Sequence, residues 1–548
     1  MPDLHVPEHA AASAHLDTFA RDHLPPPGLW PELDYSGLPD LAYPARLNCA
    51  AELVDRAIEA GHGDRPAVIA PGVRWTYREL SETVARIAHV LRDDLGLVPG
   101  NRVLLRGPNH PMMAACWLAV VRAGGVCVAT MPLLRTRELS HVAERARVRL
   151  ALTDARLAEE LEQAARAVPG LERVVRFGGG AGSLEALMAG KPADFEAVDT
   201  AAEDPAMIAF TSGTTGQPKG AVHSHRDVLA VCDTFSRHVL RPDADDVFCG
   251  SPPLAFTFGL GGLLLFPLRA GAAALLVEQP TGPNLLQAVQ DFRATVCFTA
   301  PTAYRAMSDL AGEYDLSSLR KCVSAGEPLP LPTFEAWREA TGISIIDGIG
   351  STEMLHIFIS ASGADVRPGS TGRAVPGYRA RVIDPEGNEV PPGTLGRLAV
   401  QGPTGCRYLD DPERQRAYVQ DGWNLTGDAY VMDADGYFWY QARNDDMIIS
   451  AGYNIAGPEV ENVLLDHPAV LECGVVGAPD PERGQVVKAF VVLRPGHPAT
   501  EETAKALQDF VKREIAPYKY PRQVEFVAEL PRTQTGKLQR FRLREREP

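Results

Sequence analysis

Several patterns that mark familiar classes of protein are absent from this sequence of 548 residues. Its nine cysteines are scattered and form no C-x-x-C pair, so we expect reduced, mostly buried thiols in a cytoplasmic protein. Pro267 and Arg269 interrupt the most apolar region, residues 254–277, before it reaches the length of about 18 residues that a membrane span needs, so no span is expected. Residues 1–20 also lack the apolar core of a signal peptide.

Basic residues are fewer than acidic residues in this sequence. The 54 lysines and arginines are outnumbered by 70 aspartates and glutamates, which gives a formal net charge of −16 at pH 7. This balance argues against nucleic acids and anionic membranes as main partners, although it leaves room for a local basic site that binds a phosphate-bearing ligand. The sequence has no internal repeat and no low-complexity segment, and its length predicts roughly two to four structural units.

The most informative stretch is rich in small polar residues. Residues 211–220 read Thr-Ser-Gly-Thr-Thr-Gly-Gln-Pro-Lys-Gly and follow an apolar run, 206–210, that is typical of a buried strand. Glycines allow backbone N–H groups to approach an anion, and the hydroxyls and Lys219 add donors for phosphate oxygens. The stretch is not a Walker loop, because glycine rather than serine or threonine follows the lysine. A Gly/Thr-rich surface turn is the alternative interpretation.

This stretch resembles the phosphate loop of the adenylate-forming family, which includes acyl-CoA synthetases, peptide-synthetase adenylation domains and luciferases. The family activates a carboxylate with ATP. The resemblance implies that ATP contacts seven residues of the loop, and that Thr214 also acts in catalysis and in binding Mg²⁺. The seven residues are Thr211, Ser212, Gly213, Thr214, Thr215, Gly216 and Lys219.

A second segment, residues 347–353 (Asp-Gly-Ile-Gly-Ser-Thr-Glu), resembles the part of the family that lines the nucleotide pocket. The resemblance implies nucleotide contacts from Asp347, Gly348 and Thr352, and a catalytic, Mg²⁺-binding role for Glu353. A carboxylate oxygen suits this hard cation, which offsets the triphosphate charge when a second anion attacks. The alternative is an ordinary helix N-cap within the same segment.

Two further segments resemble the ribose-binding region of the family. The string Thr426-Gly427-Asp428 implies that Asp428 binds both ribose hydroxyls, as an acceptor with two oxygens can. Residues 440–448 imply that Arg443 lies near ribose and phosphate and acts in catalysis, and that Asp445 is the hinge of a small C-terminal domain. Ala442 stands where the family usually has glycine. Taken alone, each segment is equally typical of a solvated turn.

The last two segments lie toward the C-terminus. Residues 450–455 resemble the lining of the pantetheine tunnel in CoA-dependent relatives, which implies that Gly452 and Tyr453 contact CoA; Ala451 replaces a common glycine there, and an ordinary loop is the alternative. Lys537 ends a Thr-Gln-Thr-Gly-Lys string and resembles the adenylation lysine, a flexible cation that bridges the carboxylate and the α-phosphate. A solvated surface lysine is the alternative.

The resemblance also implies an acid pocket. Its walls combine small, apolar and aromatic side chains, next to a turn at Gly326 and Glu327 that contacts the nucleotide. The predicted pocket residues are Ala255, Phe256, Phe258, Ala325, Ile349, Gly350 and His356. Gly350 leaves space where acetate-activating relatives have tryptophan, so we expect a substrate larger than acetate. His356 is expected to approach a ring edge or an ortho substituent, or to be an ordinary core histidine.

Residues 350–358 resemble the benzoate-CoA ligase branch, and residues 43–50 and 252–260 resemble 2-aminobenzoate-CoA ligases. This implies a ligase that converts 2-aminobenzoate or benzoate, ATP and CoA into aroyl-CoA, AMP and pyrophosphate through an acyl-adenylate. The alternatives are another aryl or medium-chain acid, a carrier protein as acceptor, a luciferase-like oxygenase and, from a different class, a catalytically silent nucleotide sensor. No G-G-x-S carrier motif follows Lys537, which favours CoA as the acceptor.

The predicted fold class is α/β. Short apolar runs alternate with helical spacing over residues 66–350, which predicts layered α/β units with largely parallel sheets. Residues 370–441 predict a small antiparallel β meander or barrel, and residues 447–548 a small α+β unit. The resemblance divides the chain into an adenylation domain, 1–444, and a mobile C-terminal domain, 445–548, in a monomer or homodimer.

Overall fold

The computed structural model describes residues 11–212, 218–443, 446–450, 453–480, 483–515, 517–533 and 537–545. Within these ranges, four β-sheets and the helices packed on them make up the fold. All nine cysteines are buried and unpaired, as predicted. None of the helices in this part of the chain combines the length and the apolar character that crossing a bilayer requires.

The strands up to residue 443 form where the sequence has short apolar or alternating runs. In chain order they are β1 (Pro66–Ala70), β2 (Val73–Thr76), β3 (Arg102–Arg106), β4 (Val126–Thr130), β5 (Leu150–Asp154), β6 (Arg173–Phe177), β7 (Pro205–Ser212), β8 (Pro218–Ser224), β9 (Val247–Gly250), β10 (Ala273–Leu275), β11 (Val296–Thr299), β12 (Lys321–Ala325), β13 (Ile345–Gly350), β14 (Ile357–Ser360), β15 (Arg373–Ala374), β16 (Arg379–Ile383), β17 (Leu395–Gln401), β18 (Val419–Gln420), β19 (Trp423–Met432) and β20 (Phe438–Arg443).

The helices of the same region begin at clear local signals. Thr76 and Glu79 form a reciprocal capping box at the start of α3, and Pro111 opens α4, where its missing N–H costs nothing. The helices are α1 (Phe19–Asp22), α2 (Cys49–Ala57), α3 (Tyr77–His89), α4 (Pro111–Arg122), α5 (Thr136–Arg145), α6 (Ala158–Ala167), α7 (Leu184–Met188), α8 (His225–Val231), α9 (Thr257–Leu260), α10 (Phe266–Arg269), α11 (Gly282–Phe292), α12 (Pro301–Ser308), α13 (Leu331–Thr341) and α14 (Pro412–Tyr418).

Three helices end as α-helix earlier than the apolar spacing of the sequence suggests. Residues 58–62, 90–94 and 232–240 follow α2, α3 and α8 with wider π-type turns, and the first of these breaks at Gly61, whose φ is +89°. Apolar spacing shows which side of a segment faces the core, but it does not separate a turn of 3.6 residues from a slightly wider one.

Two largely parallel sheets form the layered α/β units that the alternation of strands and helices predicts. One has the order β6-β5-β3-β4-β7-β8, with only the last pair antiparallel. The other has the order β15-β14-β13-β12-β11-β9-β10-β1-β2, in which the six strands from β13 to β1 run parallel and the edge strands antiparallel. The carboxyl ends of parallel strands are where open sheets of this kind bind ligands.

A third, antiparallel sheet has the order β16-β17-β19-β18, with β20 paired to β19, and corresponds to the predicted meander. An N-terminal arm packs on it: the Glu32 N–H donates to the Gly422 carbonyl at 2.9 Å, and the Asp34 N–H donates to the Gly402 carbonyl at 3.1 Å. Because the same arm donates from the Leu16 N–H to the Pro99 carbonyl, it ties this sheet to the layered units.

The C-terminal residues form a sheet and a core of their own. The strands are β21 (Ile448–Ser450), β22 (Tyr453–Ile455), β23 (Val470–Asp480), β24 (Gly484–Leu493) and β25 (Gln523–Phe526), and the helices are α15 (Gly457–Leu465), α16 (Glu501–Glu514) and α17 (Arg540–Arg544). Val460, Val475, Val487 and Leu507 are fully buried together between this sheet and helices α15 and α16. The whole is the mixed α/β fold with a small α+β C-terminal unit that the sequence predicts.

Candidate active site

Three charged or polar side chains from distant parts of the chain meet at the start of β8. Lys219 Nζ donates to the Tyr408 hydroxyl oxygen at 2.5 Å and lies 2.9 Å from Glu353 Oε1. The Tyr408 hydroxyl in turn donates to Glu353 Oε1 at 2.5 Å. Burial alone raises the pKa of Glu353, but Lys219 and the Tyr408 hydroxyl outweigh it, so the pKa lies below the usual value. Glu353 is therefore a buried carboxylate that keeps its charge.

Backbone pairing fixes this cluster. The segment that carries Tyr408 runs antiparallel to β8: Ala221 and Tyr408 form a β-bridge, and the Leu409 N–H donates to the Gly220 carbonyl at 2.8 Å. On the other side, His223 Nε2 lies 2.8 Å from the carbonyl oxygen of Thr352. Strand β8 thus holds both the turn that carries Glu353 and the tyrosine between the two charges. No sequence pattern pointed to Tyr408, because its role depends on contacts 189 and 55 residues away.

The turn that carries Glu353 is not a helix N-cap, so that alternative is wrong. Residues 351–356 form turns that lead directly into β14. Leu355 is buried with a φ of +69°, which a right-handed helix does not contain and which a leucine adopts only when its surroundings impose it.

A second carboxylate lies at the end of the parallel strands. Asp347 on β13 is the register partner of Ser324 on β12, so the two side chains share one face of the sheet. Burial raises the pKa of Asp347 to about 8. Its Oδ1 and the Ser324 hydroxyl have no hydrogen-bond partner among the described residues. Buried polar atoms without partners are rare, and here they mark a place where a ligand can bind.

The predicted ribose-binding residues face each other across two neighbouring strands. Asp428 on β19 and Arg443 on β20 are register partners, and Arg443 Nη1 lies 3.5 Å from Asp428 Oδ1. Gly427 makes this possible: its φ is +80°, and a Cβ there would lie 3.1 Å from Arg443 Nη2. Thr426, Gly427 and Asp428 therefore lie within a strand rather than in the simple turn that was the alternative.

Lys537 reaches this cleft from the C-terminal unit. A Cβ atom at Gly326 would lie 3.5 Å from Lys537 Cε. The Lys537 side chain is exposed to solvent. The surrounding protein nevertheless displaces part of its hydration and lowers its pKa, and the charge of Glu327 opposes that shift. Asp428 and Glu353 also interact with its charge. Lys537 is thus exposed but lies beside the turn at Gly326, and its role in adenylation stays a prediction.

An ion pair joins the two parts of the molecule beside Lys537. Arg532 Nη1 of the C-terminal unit lies 3.5 Å from Glu327 Oε1, and Arg532 Nη2 lies 2.9 Å from Glu472 Oε2. Burial raises the pKa of Glu327, whereas Arg532 and Lys537 lower it, and the net shift is upward. The turn at Gly326 and Glu327 is thus the point at which the C-terminal unit touches the carboxyl end of β12.

The predicted acid pocket lies beside an aromatic cluster. The ring centroid of His356 lies 4.5 Å from that of Phe266, 5.6 Å from Phe235 and 5.7 Å from Phe258. Burial lowers the pKa of His356 to about 3, and the nearby Phe258 carbonyl opposes this shift. Neither ring nitrogen of His356 has a hydrogen-bond partner of normal geometry among the described residues. His356 is a neutral imidazole with unused polar atoms.

The remaining predicted pocket residues are at least half-buried. Ala255, Phe256, Phe258 and Ile349 are half-buried, and Ala325 is buried at the end of β12. A Cβ at Gly350 would lie 2.6 Å from the carbonyl oxygen of His356. Glycine is therefore required here by the path of the backbone, in addition to the space predicted for a substrate.

Several predicted residues lie outside the described part of the chain: Gly213, Thr214, Thr215, Gly216, Asp445 and Gly452. Thr211 and Ser212 end β7, and Tyr453 begins β22. The Thr211 hydroxyl has no hydrogen-bond partner among the described residues. Gly348 lies on β13 beside β14, and the carbonyl of Thr352 accepts from His223 as described above.

The donor set of the cleft is compatible with Mg²⁺. The described residues contain no group of three or more His, Cys, Asp or Glu side chains that would hold a metal by themselves. Mg²⁺ does not need such a cage, because it is usually held by one or two carboxylates together with substrate phosphates and water. Glu353 supplies one charged carboxylate that already has a cation, the Lys219 ammonium, 2.9 Å from one oxygen.

Comparison with known protein families and proteins gives matches that cover most of the chain. Residues 54–407 match the AMP-binding enzyme family, and residues 459–537 match the AMP-binding enzyme C-terminal domain. Benzoate–CoA ligase of Thauera aromatica is 39% identical over 522 residues, which cover 93% of this chain and 98% of the relative.

Two of the solved structures similar to this chain cover more than nine tenths of it. The anthranilate CoA ligase AuaEII in complex with anthranoyl-AMP superposes with a TM-score of 0.89 at 36% identity, over 93% of this chain and 98% of that one. A benzoate CoA ligase from Burkholderia xenovorans LB400 superposes with a TM-score of 0.83 at 34% identity, over 91% of this chain and all of that one.

Proposed function

This chain belongs to the AMP-binding enzyme family, and on that basis we propose that it is an AMP-forming ligase that joins an aromatic carboxylic acid to CoA. The proposal is supported by the contact between Lys219 and Glu353, by the interaction of the Lys537 charge with Glu353 and Asp428, and by the aromatic rings around His356. Relatives of similar length that act on benzoate or anthranilate support the aromatic acid.

In the first half-reaction, a carboxylate oxygen of the acid attacks the α-phosphorus of ATP, and pyrophosphate leaves to give the aroyl-adenylate. Asp428 and Arg443 bind the ribose, and Asp347, Gly348 and the turn at Gly326 bind the base. Lys537 offsets the charge that develops between the carboxylate and the α-phosphate. Glu353 and Thr214 would hold Mg²⁺, which would supply further positive charge to the phosphates when bound.

In the second half-reaction, the CoA thiolate attacks the carbonyl carbon of the adenylate, and AMP leaves. We propose that residues 445–548 turn about Asp445 between the two steps, so that Lys537 leaves the cleft and the strands near Gly452 and Tyr453 guide the thiol arm inward. Reuse of one cleft in two domain orientations is a hinge transition. Residues 1–444 form the stationary domain in this scheme.

The preferred acid is 2-aminobenzoate, with benzoate as the second choice. A neutral imidazole nitrogen accepts a hydrogen bond from an aromatic amino group, and His356 has two ring nitrogens without a partner among the described residues. A site with an unused acceptor favours the substrate that supplies the donor. The similarity to a structure that contains anthranoyl-AMP supports the same choice.

The test is ATP–pyrophosphate exchange without CoA, with 2-aminobenzoate, benzoate, 4-hydroxybenzoate, cinnamate, acetate and octanoate as acids. We expect exchange with 2-aminobenzoate and benzoate, and aroyl-CoA once CoA is added. Exchange with octanoate or acetate alone would contradict the aromatic pocket, and an adenylate that CoA does not consume would point to a carrier protein. ATP binding without exchange for any acid would favour the nucleotide sensor. Light scattering then distinguishes the monomer from the homodimer.

A further inference from the structure

Tyr408 lies between the two groups that the proposed function assigns to the nucleotide phosphates and to the metal. Its hydroxyl accepts from Lys219 Nζ and donates to Glu353 Oε1, both at 2.5 Å. Resting on the proposed function, we propose that Tyr408 is a positioning residue for metal-dependent nucleotide binding: it holds Glu353 in place while Lys219 exchanges that carboxylate for the phosphates.

The exchange follows from the charges of the cluster. Glu353 is only 7% exposed, and a buried carboxylate stays charged only beside a compensating cation. Without nucleotide, Lys219 provides that cation at 2.9 Å. When ATP arrives, its phosphates attract the ammonium group and Mg²⁺ compensates Glu353 instead. Binding of either ligand thus increases the affinity of the site for the other. The coupling free energy between metal and nucleotide is therefore favourable.

Tyr408 suits this role because the contacts that hold its backbone in place do not involve Lys219 or Glu353. Its ring is 1% exposed, its backbone bridges Ala221 on β8, and its N–H donates to Gln415 Oε1 at 2.9 Å. A phenol can both accept and donate, so its O–H still donates to Glu353 after Lys219 has left. The contacts of Glu353 with the Tyr408 hydroxyl and with Lys219 Nζ are both made through Oε1 rather than Oε2.

The experiment measures binding rather than turnover. ATP affinity is determined by calorimetry with and without Mn²⁺, a spectroscopic substitute for Mg²⁺ whose binding is also followed by electron paramagnetic resonance. A hydrogen bond to a charged group contributes enough that Tyr408→Phe should weaken Mn²⁺-dependent ATP binding about 10- to 100-fold. Metal-free ATP affinity should stay within about twofold, because the hydroxyl acts through the carboxylate.

Two further variants make the test specific. If Tyr408 acts through Glu353, the combination of Tyr408→Phe with Glu353→Gln should lose no more coupling than Glu353→Gln alone. The matched control is Tyr418→Phe, because the Tyr418 ring lies 5.9 Å from that of Tyr408 but its hydroxyl contacts Ser351 at 3.2 Å. This control should leave the coupling between metal and ATP within about twofold.

A measurement that does not depend on Tyr408 guards against misfolding of the variant. If Lys219 occupies the place of the metal, Lys219→Met should increase nucleotide-free Mn²⁺ affinity about fivefold. The proposal is overturned if Tyr408→Phe weakens ATP binding equally with and without Mn²⁺, if it changes neither, or if Lys219→Met does not favour Mn²⁺. These results are separate from the proposed function, because a protein that couples Mn²⁺ and ATP but forms no aroyl-adenylate would keep this inference and refute that function.

Discussion

Replacing Lys537 with alanine tests whether this lysine serves adenylate formation. The side chain reaches the turn at Gly326, and its charge interacts with Glu327, Asp428 and Glu353. A positioned group that faces the charge developing in a transition state contributes about 3–4 kcal/mol, or a factor of about 10²–10³ in rate. We therefore expect Lys537→Ala to lower ATP–pyrophosphate exchange with 2-aminobenzoate by that factor.

The second half-reaction provides the contrast. Supplied aroyl-adenylate should still react with CoA at a rate within about threefold of the original, because the proposed rotation would move Lys537 away before that step. Lys512→Ala is a suitable control, since Lys512 belongs to the same unit but pairs with Asp509 on its own helix. Equal loss of both half-reactions in Lys537→Ala would refute the assignment.

The pH dependence of exchange gives an independent check. Loss of hydration lowers the pKa of Lys537, so its charge is lost at a lower pH than for an ordinary lysine. Because adenylate formation needs the charged form, exchange should decrease as pH rises through that lowered pKa. Lys537→Arg keeps its charge at all accessible pH values and should remove this alkaline decrease. An unchanged alkaline limb would show that another group controls it.

Three more predictions follow from particular contacts. Gly427→Ala should raise the KM for ATP severalfold, because the new Cβ would lie 3.1 Å from Arg443 Nη2 and shift this guanidinium; Gly436→Ala, with the same φ of +80° and no neighbour within 4 Å, controls for backbone strain in initial-rate assays. His356→Phe should lower kcat/KM for 2-aminobenzoate relative to benzoate about tenfold by removing the acceptor; equal effects on both acids would contradict this. Arg407→Leu should lower the free energy of unfolding in urea by about 3–5 kcal/mol, because it leaves the buried Asp227 without its ion pair; Arg513→Leu at the surface should change it little.

Much of the fold could be predicted from local sequence patterns. Apolar runs such as 102–105 and 150–153 became the central strands β3 and β5, because a strand buried on both faces needs continuous apolar residues. The prediction of layered α/β units, an antiparallel sheet and a small C-terminal unit is confirmed. The widened turns after α2, α3 and α8 were missed, since apolar spacing does not resolve them.

The site was harder to predict than the fold. Resemblance identified Lys219, Glu353, Asp428 and Lys537; the structure pairs Lys219 with Glu353, and the charges of Glu353 and Asp428 act on Lys537. The resemblance gave no indication of Tyr408. This tyrosine lies between the two charged groups only because strand pairing places it there, and the sequence does not show that pairing. The hinge at Asp445, the domain boundary at residue 444 and the individual roles of the site residues stay predictions.

The ion pair between Arg532 and Glu327 makes the position of the C-terminal unit sensitive to ionic strength. It is a contact of 3.5 Å between partly exposed groups, and dissolved ions screen such an attraction over roughly 8 Å at physiological salt. The proposed rotation of this unit would break the pair. We therefore expect dilute buffer to favour the orientation proposed for adenylate formation, and concentrated salt to favour the orientation proposed for thioester formation. If the rotation takes place, salt alone would then shift the balance between the two half-reactions, with no change in sequence.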